Sequence, residues 1–164
     1  MNQHPVLPPG WNTWEQVMTL ALEQARKGEK KGEVPVGAVV LDPNGQILAQ
    51  SCNAPVSRND PTGHAEILAL RRAAEKINNY RLPGCLLAVT LEPCLMCLGA
   101  MIHARVGGLI FGAEDPKSGA VVSCLRGLEL GFPNHCFPVL GGILAEECGE
   151  MLSRFFQARR NRTD

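Results

Sequence analysis

The alternation of apolar and polar residues along the 164-residue chain predicts helices and strands in turn. In "TWEQVMTLALEQARKG", apolar residues recur at helical spacing and Thr13 and Gln16 stand at capping-box spacing, which predicts a first amphipathic helix. Next, "VPVGAVVLDPNGQILAQSCN" contains two strand-like runs separated by the turn sequence "DPNG". This pattern is typical of a β-hairpin.

Beyond the hairpin, helix-like and strand-like segments alternate. The predicted helices are "HAEILALRRAAEKI", "LMCLGAMIHARV" and "AEECGEMLSRFFQARR", and the predicted strands are "CLLAVTL", "GLIFGA" and "FPVLGGIL". A hairpin followed by such alternation predicts an α/β protein, a three-layer α/β/α sandwich on a mixed central sheet of about five strands. We expect one domain over residues 13–164, preceded by an irregular N-terminal arm over residues 1–12.

Composition and charge narrow the range of functions. A formal net charge of zero argues against a protein that coats nucleic acid without selectivity. The sequence has no membrane-spanning apolar run and no signal-peptide pattern, so we expect no membrane association and a cytoplasmic location. Its seven cysteines lack the spacing of a disulfide framework, which favours reduced thiols and metal ligands. Arginines cluster in "SRFFQARRNR", where they either offset a helix dipole or contact RNA.

Two short motifs carry candidate chemistry. In "LEPCLMC", Cys94 and Cys97 are three residues apart where a strand gives way to a helix, so both thiols can face one point. "DPTGHAEIL" supplies His64 as a third ligand, with Glu66 two residues on. Residues two apart diverge by about 200° on a helix, so His64 and Glu66 share a pocket only if the helix begins there. Adjacent parallel strands before the two turns would bring the motifs together at one edge of the sheet.

One histidine, two cysteines and a glutamate that is not needed as a ligand predict an open catalytic zinc site with water as the fourth ligand. A closed structural site, as in a zinc-stabilised binding module, remains the alternative and would need a fourth ligand. The other cysteines lack paired spacing, and we expect them to be small buried side chains, with His103 hydrogen-bonded on its helix. These cysteines are Cys52, Cys85, Cys124, Cys136 and Cys148.

Together, H-x-E and P-C-x-x-C form the pattern of the zinc nucleobase deaminases. From about residue 13 onward the chain resembles the bacterial tRNA-specific adenosine deaminases, members of the zinc-dependent cytidine and deoxycytidylate deaminase superfamily. The segments that carry this resemblance include "EVPVGAVV", "DPTGHAEI", "VTLEPCLMC", "GAMIHARV" and "FGAEDPKSGA". It implies a cytidine deaminase-like fold and a homodimeric hydrolase with one Zn²⁺ per subunit. It also implies the reaction, deamination of the wobble adenosine to inosine in the anticodon loop of an arginine tRNA.

The resemblance also implies residue roles. His64, Cys94 and Cys97 would bind zinc, Glu66 would shuttle protons and Asn53 would bind the target base. Matching RNA-contact positions are Asp115, Lys117, Ser118, Phe156, Arg159 and Arg160. The alternative is a zinc deaminase of a free base or nucleotide, such as guanine, cytidine or deoxycytidylate. The C-terminal helix with its arginines and phenylalanines distinguishes the two, because only an RNA enzyme would need it for substrate contact.

Overall fold

The computed structural model of the chain describes residues 4–162. A mixed five-stranded sheet lies between two layers of helices. The elements are α1 (Trp14–Lys30), β1 (Gly37–Leu41), β2 (Ile47–Cys52), α2 (Pro55–Arg58), α3 (Ala65–Ile77), β3 (Leu86–Leu91), α4 (Leu95–Ala104), β4 (Gly108–Ala113), β5 (Val139–Leu140) and α5 (Ala145–Arg160), with a 3₁₀ turn at Gly127–Glu129. The predicted three-layer α/β/α fold is confirmed.

The two helical layers bury opposite faces of the sheet. Met18 and Leu22 of α1 pack with Met151 of α5 against one face. Leu98 and Met101 of α4 pack with α3 against the other face. The central strands β1, β3 and β4 are therefore covered on both sides, which explains why they read as nearly continuous apolar runs.

The strand order is β2-β1-β3-β4-β5, with β1 antiparallel to both neighbours and the remaining pairs parallel. The prediction that adjacent parallel strands precede the two motifs was wrong, because β1 lies between β2 and β3. All five residues of β1 are buried, whereas β2 is partly exposed, so the hairpin places β1 inside the sheet and β2 at its edge. Strands β2 and β3 are both antiparallel to β1 and therefore run in the same direction. Their carboxyl ends lie at the same end of the sheet.

Most predicted elements agree with the structure, but β5 is much shorter than "FPVLGGIL". Pro138 cannot donate a hydrogen bond before the strand, and Gly142, at φ +87°, turns the chain after it. The short helix α2 was not predicted.

Residues 4–12 of the N-terminal arm contain no helix or strand. Trp11 Nε1 connects this arm to the hairpin turn by donating a hydrogen bond to Gly45 O at 2.8 Å. Over residues 4–162, no helix is long and apolar enough to cross a membrane.

Candidate metal centre and active site

Two helix starts carry the motif side chains. His64 is the N-cap of α3, with φ −70° and ψ 150°, and Cys94 is the N-cap of α4, with φ −76° and ψ 173°. Both residues are therefore extended, outside the helical repeat. The helix containing Glu66 begins at Ala65, which satisfies the condition for His64 and Glu66 to share a pocket.

The three candidate ligands converge. His64 Nδ1 lies 3.6 Å from Cys94 Sγ and 3.5 Å from Cys97 Sγ, and all three donor atoms lie within 4.8 Å of one another. Tetrahedral zinc, with bonds of about 2.3 Å to sulfur and about 2.0 Å to nitrogen, requires a nitrogen-to-sulfur separation of about 3.5 Å. The observed spacing fits such an ion. Among residues 4–162, no fourth histidine, cysteine or carboxylate joins this cluster.

The charges of the two sulfurs also indicate a cation site. Hydrogen bonds with Cys97 and His64 lower the pKa of Cys94 to about 4. The hydrogen bond to the Cys94 sulfur and burial raise the pKa of Cys97. Two sulfurs this close therefore share one negative charge unless a cation neutralises them. The donor set fits a divalent metal that prefers nitrogen and sulfur ligands.

Glu66 lies in the first turn of α3 with only 4% of its surface exposed. Its Oε2 atom has no hydrogen-bond partner among the described residues, and burial raises its pKa to about 7. An unpaired buried carboxylate oxygen is costly in a folded protein, and such groups are concentrated at functional sites. Because it lies beside the three candidate metal ligands, the Oε2 atom of Glu66 is the candidate general base and acid of the site.

Asn53 follows β2 and is 8% exposed. Its side-chain Oδ1 accepts a hydrogen bond from Ala65 N at 2.8 Å, which satisfies one of the unpaired amides in the first turn of α3. Its backbone N–H donates to Val36 O at 3.1 Å. Asn53 is thus fixed beside the helix start that carries Glu66, and its side-chain NH₂ remains as a donor. The sequence did not reveal this capping contact.

Five of the six predicted RNA-contact residues line one groove of about 740 Å³ between the 113–118 segment and α5. They are Asp115, Lys117, Ser118, Phe156 and Arg160. Asp115 shapes its rim by accepting hydrogen bonds from the backbone of Lys117 and from the Ser118 hydroxyl. Arg159 lies elsewhere, because it donates to Gly32 O at 2.7 Å and stacks on Phe155.

A residue that positions the site and that the sequence analysis missed is Glu92, at the junction between β3 and α4. It is 2% exposed, and burial alone would raise its pKa, but hydrogen bonds from Ser123, Val122 and Asp115 hold the pKa below its usual value. The carboxylate accepts bonds from the backbone N–H groups of Asp115, Val121, Val122 and Ser123 at 2.8–3.0 Å, and from the Ser123 hydroxyl. One buried side chain thus anchors the loop that forms the groove rim.

Glu33, in the segment between α1 and β1, has a similar role on the other side of the site. It is 1% exposed and accepts hydrogen bonds from Ser57 N at 2.7 Å and Val56 N at 3.3 Å. It therefore holds α2, which begins two residues after Asn53. An acid surrounded by apolar residues, as in "GEVPVGAVV", was the available sequence signal.

The predicted burial of the other cysteines is partly wrong. Cys85 and Cys148 are buried, and burial raises the pKa of each to about 11. Cys124 and Cys136 are exposed because they lie in the irregular segment between β4 and β5, outside the core. Cys52 is half-buried on the edge strand. The hydrogen-bonded histidine expected on α4 is instead an exposed side chain, His103.

Comparison with known proteins assigns the family. Residues 12–160 match the family model described as MafB19-like deaminase. A tRNA-specific adenosine deaminase of Haemophilus influenzae is 49% identical over 146 residues, which cover 89% of this chain and 84% of that protein. The chain belongs to the family of the tRNA-specific adenosine deaminases. A second such deaminase, from Bacillus subtilis, is 43% identical over 90% of this chain and 91% of its own length.

Solved structures agree with this assignment. A structure from work on A-to-I editing by tRNA adenosine 34 deaminases at the wobble position superposes with a TM-score of 0.81, at 43% identity over 84% of this chain and 99% of that chain. A guanine deaminase from Nitrosomonas europaea shares the fold with a TM-score of 0.72, at 25% identity over 94% of this chain and 97% of its own. This deaminase chain is therefore more similar to the tRNA enzyme than to that free-base enzyme.

Proposed function

We propose that this protein is a zinc-dependent hydrolase that converts the wobble adenosine of an arginine tRNA to inosine. The observation that carries the proposal is the cluster of three metal donors beside the buried carboxylate of Glu66, whose Oε2 atom has no hydrogen-bond partner among the described residues. The 49% identity to a tRNA-specific adenosine deaminase supports the substrate class. In this proposal residues 13–164 act as one deaminase domain.

His64, Cys94 and Cys97 would hold the zinc ion, which supplies a Lewis acid that activates water at neutral pH. Glu66 takes a proton from the attacking water and delivers it to N1 of adenine, so that C6 becomes more electrophilic. The water oxygen then bonds to C6. Glu66 passes the second proton to the amino group, the C6–N bond breaks, and ammonia leaves inosine behind.

Asn53 would position the base. The Oδ1 atom of Asn53 already accepts a hydrogen bond from Ala65 N. Its NH₂ group is therefore the part of the side chain that would donate a hydrogen bond to a ring nitrogen of the purine. A loop of RNA suits such a site, since an unpaired base can be flipped out and read on its edges. Phe156, at 44% exposure, offers a stacking surface in the adjoining groove, and Lys117 and Arg160 supply positive charge there.

Two further expectations belong to this proposal. A homodimer would cover apolar side chains such as Leu95 and Phe132, which are 58% and 74% exposed. Sedimentation velocity at micromolar concentration measures the oligomeric state directly. A cytoplasmic location follows from the proposed substrate and stays a prediction.

The decisive assay measures inosine in an anticodon stem-loop with adenosine at the wobble position, beside free adenosine, cytidine and guanine. We expect product from the stem-loop alone, with bound zinc at one ion per subunit. Turnover of a free base or nucleoside without turnover of the stem-loop would contradict the tRNA assignment and favour the alternative deaminase reaction.

A further inference from the structure

A second cleft opens at the outer edge of β2, outside the groove that carries the family's RNA-contact positions. It has a volume of about 160 Å³ and is walled by the end of α1, the end of β2, α2 and α3. Four of its lining residues are cationic, namely Lys27, Lys31, Arg58 and Arg72. Within residues 4–162, no carboxylate lines this cleft.

These cationic side chains form no close ion pairs with other described residues, although Arg58 interacts at longer range with the carboxylate of Asp60. The only ion pairs among residues 4–162 are Arg71 with Asp60 and Arg126 with Glu129, so none of the four cationic side chains in the cleft is paired. Arg72 is held in place by donating to Gln50 O on the edge strand at 2.7 Å. Unpaired like charges around one small cleft repel one another, in a chain whose formal net charge is zero. A bound anion would relieve this repulsion.

The wall of the cleft also contains an unsatisfied polar group. Ser51 is 2% exposed, lines the cleft, and its hydroxyl has no hydrogen-bond partner among the described residues. Buried hydroxyls are nearly always paired, and leaving one unpaired costs stability. A donor of this kind, surrounded by ammonium and guanidinium groups, fits the oxygens of a phosphate.

We propose that this cleft binds a backbone phosphate of the RNA substrate, next to the flipped adenosine. This inference rests on the proposed function, because Asn53, the proposed base-binding residue, also lines the cleft. A phosphate held there belongs to the target nucleotide or its neighbour. The protein would then contact the RNA backbone on both sides of the base, through this cleft and through the groove beside α5.

The test compares two double variants on α1 and its C-cap that remove the same charge. Lys27→Gln with Lys31→Gln removes two of the four positive charges that line the cleft, whereas Arg26→Gln with Lys30→Gln removes two exposed charges of α1 that do not line it. Binding of the anticodon stem-loop is measured from 0.05 to 1 M salt. Losing one phosphate contact to single-stranded RNA lowers the salt slope by about 0.7, so the cleft pair should lower the slope by about 0.7 relative to the control pair. The ratio of wild-type to cleft-variant affinity should therefore be about 5-fold larger at 0.1 M salt than at 1 M.

A second arm replaces, one at a time, the phosphates flanking the wobble adenosine with neutral methylphosphonate. At one position, the replacement should weaken binding by wild type and leave the cleft variant unaffected. Equal salt slopes for both double variants would overturn the proposal, and so would wild-type insensitivity to every replacement. In another outcome, inorganic phosphate raises the melting temperature of wild type alone while the cleft variant binds RNA as tightly as wild type. That result would assign the cleft to a free anion and would also overturn the proposal. If wild type forms no inosine, the proposed function is refuted instead. The RNA-binding measurements still test the cleft in that case.

Discussion

Replacing Glu92 with glutamine tests how the groove rim is held. In the structure Oε1 accepts three backbone hydrogen bonds, from Val121, Val122 and Ser123, while Oε2 accepts from Asp115 N and the Ser123 hydroxyl. A glutamine oxygen in the Oε1 position keeps the first three. Its NH₂ group then faces the Asp115 N–H, so two donors meet, whereas the Ser123 hydroxyl can rotate to accept.

The cost follows from these contacts. One hydrogen bond is lost, a buried N–H is left unpaired, and three charge-assisted bonds become neutral, which together should reduce the free energy of unfolding by about 3 kcal/mol. For a domain of this size the melting temperature falls by about 6–12 °C. The neighbouring Glu114→Gln is the matched control, since Glu114 is exposed and should change stability by less than about 0.5 kcal/mol.

Thermal unfolding monitored by circular dichroism gives the stability difference, and amide hydrogen exchange locates it. We expect faster exchange at residues 115–123 and a higher KM for the stem-loop, with zinc content unchanged. Equal melting temperatures for Glu92→Gln and Glu114→Gln, with unaltered exchange in this loop, would refute the idea that one carboxylate anchors the rim.

Three other changes probe the site. Glu66→Gln should abolish inosine formation while metal analysis still finds one zinc per subunit, and retained turnover would remove Glu66 from the mechanism. For Glu33, burial opposes its charge but hydrogen bonds from Ser57 and Val56 lower its pKa in the folded state. Its stabilising effect is thus complete above the unfolded pKa of about 4.3 and is lost as pH falls through the lower folded pKa. Urea unfolding should give a wild-type advantage over Glu33→Gln that shrinks from pH 7 to pH 3, and a constant difference would contradict this. Gly119→Ala should cost about 1–3 kcal/mol, because a Cβ would meet the Glu92 carboxylate at 2.4 Å, whereas Gly131→Ala, with nothing within 4 Å, should be neutral in the same unfolding measurement.

Each half of the site could be predicted from the sequence because the residues within each motif are close together in the chain. Cys94 and Cys97 are separated by less than one helical turn, and the capping position of His64 follows from the loop residues before it. Strand β4 and helix α5 agree with their predicted bounds because an uninterrupted apolar run and clear helical periodicity define them.

The arrangement of strands could not be derived in this way. Periodicity shows that β1 and β2 form a hairpin, but it does not show which of the two joins β3. Side-chain burial decides this, since β1 is covered by helices on both faces while β2 carries polar residues such as Gln50 at the edge. The cationic cleft has the same origin, because α1, α2 and α3 meet only in the folded chain.

Two buried carboxylates explain how irregular segments can form a precise site. Loops have few tertiary contacts of their own, and a catalytic pocket needs its walls fixed to within a fraction of an ångström. Glu33 fixes the segment after Asn53, and Glu92 fixes the rim that follows β4, each by collecting backbone N–H groups that no strand or helix satisfies. Both acids are almost fully buried and accept hydrogen bonds, whereas Glu66 is equally buried but has one oxygen without a partner. The contrast separates the two structural glutamates from the one whose carboxylate is left available for chemistry.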